Sequence, residues 1–152
     1  MLSSSYDQDP SPIIINADMP TTILIVEDEF LIAVEMEEVV RDLGHQSIGI
    51  ADDMQSAMSK ASDEVDVALV DVNLADGATG PLIGEKLAGD FGVEVIFATA
   101  NPHQLGKGVH GTLGAVEKPV DLAILREVFD YVMAVRKGEN AEPPRRLRLF
   151  EN

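Results

Sequence analysis

Val67-Ala68-Leu69-Val70-Asp71 is the stretch from which the fold can be read. A strand covered on both faces need not alternate, so four consecutive apolar residues predict a buried central strand. Asp71 ends the run, and Val72-Asn73-Leu74-Ala75-Asp76-Gly77 follows with turn chemistry. Open α/β sheets bind their ligands at the carboxyl ends of their strands, which is where this carboxylate falls.

Upstream, Thr21-Thr22-Ile23-Leu24-Ile25-Val26 is a second buried strand, closed at once by Glu27-Asp28-Glu29. Phe30 to Leu43 places Ile32, Met36, Val39 and Leu43 at helical spacing, with Gly44 as the stop. His45 to Ile50 reads as a short strand, and Asp53 to Ala61 as a helix capped by Asp52 or Asp53. Downstream of the central strand, Pro81 suits the first turn of a helix reaching about Phe91, and Val93 to Thr99 is a fourth strand. Asn101 to Gly114 carries Gly106, Gly108, Gly111 and Gly114 without a sustained apolar stripe. Each Gly inside a helix costs about 1 kcal/mol relative to Ala, so this segment is expected to form at best a short, poorly held helix. Ala115-Val116-Glu117 is a brief fifth strand, followed by Lys118-Pro119. Asp121 caps a last helix whose apolar face is Leu125, Val128, Phe129, Val132 and Met133.

Strand and helix alternate five times, which predicts a parallel sheet with helices on both faces. The chain is too short for a closed barrel of eight such units, so the sheet is open and doubly wound. Residues 1–20, rich in Ser, Asp and Pro, are expected to be a flexible extension. Residues 21–137 form the domain, and 138–152 a tail that turns basic at Arg145-Arg146-Leu147-Arg148.

The strand ends carry chemistry. Glu27 and Asp28 follow the first strand, Asp71 ends the third, Thr99 the fourth, and Lys118 follows the fifth. Carboxylates converging on one spot repel unless a cation intervenes, and hard oxygen ligands suit Mg²⁺. An Asp carboxylate is a competent nucleophile for phosphoryl transfer, giving an aspartyl phosphate. Such transfer needs mostly positioning and charge stabilisation, which a Lys ammonium and a Thr hydroxyl supply.

Val26-Glu27-Asp28-Glu29, Asp71 with Gly77 behind it, Thr99-Ala100 and Lys118-Pro119 resemble, in order, the motifs of a response regulator receiver domain of two-component systems. The resemblance covers about Thr21 to Arg136. It implies a flavodoxin-like α/β fold, a five-stranded parallel sheet of order 2-1-3-4-5 with helices on both faces. It also implies that Asp71 accepts a phosphoryl group from a histidine kinase or a histidine phosphotransfer protein. Asp28 and Asp71 would ligate Mg²⁺, Glu27 would act through water, and the Asn73 backbone carbonyl would be a further ligand. Thr99 would bond a phosphoryl oxygen, Lys118 would pair with the phosphate, and Lys118-Pro119 would be a cis peptide. Phe97-Ala98-Thr99 and the Gly opening the fifth strand resemble the subgroup named for Phe-Ala-Thr and Gly-hydrophobic-Tyr signatures, although the Tyr is missing. Where family members place an aromatic switch residue, three positions before the Lys, this chain has Ala115, and the usual Pro after Leu74 is Ala75.

Composition narrows the function. A formal charge of −16 argues against nucleic acid as a partner, since phosphate contacts need Lys and Arg. There is no Cys, which excludes disulfides and thiolate metal sites. No apolar run approaches the roughly 20 residues that span a bilayer, and no basic n-region precedes one, so a cytoplasmic protein without membrane partners is expected. His45, His103 and His110 neither pair at metal spacing nor sit on a helix as a phosphodonor would, and the six methionines read as core filler. The expected protein is a stand-alone receiver, not an enzyme beyond its own phosphorylation and dephosphorylation. It would act as a phosphate sink or shuttle, or as a binding module switched by phosphorylation, with another response regulator as a further partner. The alternative from another class is an Asp-nucleophile phosphatase of the haloacid-dehalogenase type. Those enzymes carry a second Asp two residues after the nucleophile, where this chain has Asn73.

Overall fold

A computed structural model describes residues 21–151, so the expected flexible extension at 1–20 lies outside the described residues. The elements in chain order are β1 (Thr22–Val26), α1 (Phe30–Asp42), β2 (Gln46–Ala51), α2 (Met54–Lys60), β3 (Val67–Asp71), α3 (Gly80–Phe91), β4 (Glu94–Thr99), a four-residue 3-10 turn (Pro102–Leu105), β5 (Gly114–Glu117), α4 (Leu122–Arg136) and β6 (Leu147–Leu149). The sheet order is β2-β1-β3-β4-β5-β6. β1 to β5 run parallel in the expected order 2-1-3-4-5, and β6 adds an antiparallel edge strand that the sequence reading placed in the tail.

β3 is buried at every position and lies between β1 and β4, as its unbroken apolar run requires. Its residues divide between two cores. Val67 and Leu69 join Ile23, Ile25, Ile96 and Ala98 beneath α1 and α4. Ala68 and Val70 join Leu24, Val26, Val95 and Phe97 beneath α2 and α3. This alternation is the period of two that puts successive strand side chains on opposite faces.

The helix ends follow local chemistry. Asp53 caps α2 by accepting from the Ser56 amide at 2.8 Å, and the Ser56 hydroxyl takes up the Asp53 amide, closing a capping box. Asp121 caps α4 by accepting from the Ile124 amide at 2.9 Å. α3 ends at Gly92, whose φ of 69° is left-handed and favours glycine.

The glycine-rich segment between β4 and β5 forms only the 3-10 turn, as its composition predicts. It is nevertheless anchored. Leu105 is buried, Val109 packs on the second core, and the Thr112 hydroxyl donates to the Val109 carbonyl at 2.6 Å. The remaining apolar cover comes from the tail. Phe150 packs on the same core, its ring centroid 6.3 Å from that of Phe97, and its amide donates to the Leu113 carbonyl at 2.9 Å. A Cβ on Gly108 would lie 2.6 Å from the Phe150 ring.

Two glycines of α3 separate helix propensity from packing. A Cβ on Gly84 would fall 2.4 Å from the Phe97 ring, whereas one on Gly89 would meet nothing within 4 Å. Ala is better than Gly in a helix by about 1 kcal/mol, but overpacking a core costs typically 1–3 kcal/mol. Gly89→Ala should therefore raise stability by about 1 kcal/mol and Gly84→Ala should lower it, both measured by urea unfolding.

Candidate phosphoacceptor site

The site is built where β1, β3, β4 and β5 end. Val26 is level with Val70 in the β1–β3 register, so the next residues, Glu27 and Asp71, stand side by side. Asp71 is 7% exposed and Glu27 only 2%. Asp28, one residue on, is exposed. Oxygens of Glu27, Asp28 and Asp71 lie within 4.8 Å of one another.

Lys118 reaches this cluster from the end of β5. Its amide donates to the Thr99 carbonyl at 2.8 Å, which fixes the chain beside β4. Its ammonium donates to Glu27 Oε1 at 2.9 Å and to Asp71 Oδ2 at 3.1 Å. The Lys118–Pro119 peptide is cis, as the family resemblance implied. Glu27 Oε2 accepts from the Glu29 amide at 3.1 Å, so both of its oxygens are engaged.

Burial raises the Glu27 carboxyl from 4.5 to about 7, opposed by the Lys118 ammonium and the Glu29 amide and reinforced by the Asp71 charge. Burial by itself would lower Lys118, but the Glu27 carboxylate, and Asp71 with it, outweigh that and hold the ammonium above its ordinary value. Glu27 thus titrates near neutrality beside a lysine that stays charged.

The other predicted residues stand around this centre. Thr99 is buried at the end of β4, one position past Ala98, the residue paired with Asp71. Its Oγ1 accepts from the Asn101 amide at 3.2 Å and lies 3.5 Å from the Asn101 carbonyl. Asn73 is exposed, and its side chain exchanges two amide hydrogen bonds with Gln104 of the 3-10 turn, at 3.3 and 3.5 Å. Gln104 went unnoticed in the sequence, where nothing distinguishes it from an ordinary polar loop residue. Asp76, on the same loop as Asn73, accepts from the Thr79 hydroxyl and from the Met54 amide, and these bonds lower its carboxyl below the usual value. They tie the loop to the start of α2.

The donor set suits Mg²⁺, since three carboxylates share one small volume and a single ammonium offsets only part of their charge. A model of the response regulator receiver domain matches residues 23–130. The chain belongs to that family. This receiver is 44% identical over 94 residues to the phyllosphere-induced regulator PhyR of Methylorubrum extorquens, a match covering 60% of this chain and 35% of the relative. The chain thus spans about a third of that curated relative's length. Among solved structures, the receiver is similar to the PhyR receiver domain of Erythrobacter litoralis, with a TM-score of 0.67 and 34% identity over 82% of this chain and 96% of that one. It is also similar to PhyR of Brucella abortus, with a TM-score of 0.70 and 29% identity over 79% of this chain and 50% of that one. The family match supports the receiver reading, and the place of the hydrolases' second Asp is held by Asn73, whose side-chain amide pairs with Gln104. Among the described residues no helix is long and apolar enough to cross a membrane.

The raised carboxyl of Glu27 has a consequence for folding. An unfolded chain releases this proton near pH 4.5, while the folded receiver keeps it until about pH 7. Through that window the native state binds the extra proton, so this group's stabilisation is complete below 4.5 and is lost as pH rises to about 7. Glu27→Gln removes the titration. Its stability relative to the parent should rise between about pH 4.5 and pH 7, read as the difference in urea midpoints. A difference that does not change with pH would refute the assignment.

Proposed function

We propose that this receiver accepts a phosphoryl group on Asp71 from a phosphohistidine of a sensor kinase or a histidine phosphotransfer protein. The observation that carries the proposal is the Lys118 ammonium, 3.1 Å from Asp71 Oδ2 within a cluster of three carboxylates. In the transfer, an Asp71 oxygen bonds to phosphorus as the bond from phosphorus to the donor imidazole nitrogen breaks. Lys118 holds the carboxylate in place and then pairs with a phosphoryl oxygen, while the Thr99 hydroxyl donates to another. Mg²⁺ held by Asp28, Asp71 and the Asn73 backbone carbonyl, with Glu27 acting through water, would neutralise charge on the phosphoryl oxygens.

A donor surface is supported by the apolar rim of the site. Phe30 and Leu31 open α1 directly after the acidic stretch and are exposed, as is Leu122 at the start of α4. Beside Lys118, a groove of about 290 Å³ is lined by Ile32, Met36, Pro119, Leu122 and Leu125. A helical phosphodonor could lay an apolar face there with its histidine over Asp71. The likeness to PhyR receivers supports a donor of the kind that serves a PhyR. The receiver then acts as a sink or shuttle for phosphoryl groups, or as a module whose protein contacts change with phosphorylation.

Acetyl phosphate with Mg²⁺ should add the mass of one phosphoryl group, chelation of the metal should prevent the addition, and Asp71→Asn should abolish it. Undiminished labelling of Asp71→Asn in a mass spectrum would overturn the assignment.

A further inference from the structure

We propose that the C-terminal strand β6 and Phe150 form a strap over the β5 edge that is released when the site is phosphorylated. The release step rests on the reading of Asp71 as phosphoacceptor; the mechanical link beneath it does not.

The strap is held at three places. β6 pairs with β5 through Leu147, Arg148 and Leu149 opposite Val116, Ala115 and Gly114. Phe150 packs on the core beside Phe97 and against Gly108. Arg148 reaches off the sheet onto the 3-10 turn, where its guanidinium donates to the Pro102 carbonyl at 3.2 Å and to the Gly106 carbonyl. Those two acceptors stand at opposite ends of the turn.

The same turn is held by the site as well. The Asn101 amide, at its entry, donates to Thr99 Oγ1, and Gln104, in its middle, exchanges two amide bonds with Asn73. A segment of six residues, 101–106, is thus fastened both to the phosphoacceptor rim and to the tail. When Thr99 Oγ1 shifts to donate to a phosphoryl oxygen it draws away from the Asn101 amide that it holds at 3.2 Å, and a phosphoryl group beside Asn73 competes with the Gln104 amide. A guanidinium fork fits two carbonyls only at one spacing, so a change in the turn breaks the grip at one or both. With Ala115 where an aromatic switch would stand, Phe150 is the ring that can report the change, from outside β5. Release uncovers the β5 edge, whose unpaired backbone groups invite a partner strand.

Hydrogen exchange on the full chain tests this with two arms. In the first, the receiver is treated with acetyl phosphate and Mg²⁺ and its added mass verified. The Phe150 amide, which donates to Leu113, should then exchange about tenfold faster than in the untreated chain. Equal protection in a chain that carries the phosphoryl group overturns the proposal. In the second arm no phosphodonor is used. Gln104→Ala frees the turn from Asn73, and Arg148→Ala frees the strap from the turn. Both should speed exchange at Phe150, while Arg148→Ala should leave phosphoryl uptake at Asp71 unchanged. An unaltered Phe150 amide in Gln104→Ala also overturns the proposal. If no mass is added by acetyl phosphate but Gln104→Ala still loosens Phe150, the phosphoacceptor reading and the release step fail together, and the link between turn and tail stands.

Discussion

One ammonium between two buried carboxylates is the interaction on which the site depends. Lys118 stands 2.9 Å from Glu27 and 3.1 Å from Asp71, with Asp28 completing a cluster of three acids. Leaving a buried charge without a partner is costly, and two adjacent carboxylates would each raise the other's pKa. The lysine sets a positive charge against both carboxylates at the end of a fully buried strand. Its single charge does not match three, and a set of hard oxygen donors with that surplus suits a divalent cation. In the same pocket burial, reinforced by the Asp71 charge, raises the carboxyl of Glu27.

The second constraint is coverage of the sheet. A parallel sheet needs both faces buried, and the segment between β4 and β5 is too rich in glycine to supply a helix. The chain meets this with material from farther along. Leu105 and Val109 cover part of the face from within the segment, and Phe150 covers more of it from the tail. The fold of this receiver is therefore completed by residues that lie beyond the last helix.

Most of this was legible in the sequence because it rests on short-range patterns. The unbroken run at Val67–Val70 marked the central strand, and the helical spacing in α1 and α4 marked the faces that cover it. That Glu27, Asp28, Asp71, Thr99 and Lys118 would gather in one place was legible because all five fall at strand ends, where an open α/β sheet brings its polar groups together. β6 was not. Leu147-Arg148-Leu149 does alternate, but three residues are too few to distinguish a strand from a basic tail, and Pro143-Pro144 before it reads as a linker. The pairing of Gln104 with Asn73 was likewise invisible, because it joins residues 31 positions apart that only the tertiary fold brings together.

The position of β6 bears on how this protein can be divided. The receiver family match stops at residue 130, and a boundary drawn by eye would fall after the last helix, near Gly138. A fragment cut there keeps every residue of the acidic pocket but strips the cover from Gly114 to Val116. It would present a bare strand flanked by the ring-shaped vacancy left by Phe150, which is the geometry that favours edge-to-edge association. Poor solubility of such a fragment would then come from the missing edge strand and Phe150 rather than from a failure of the pocket to form.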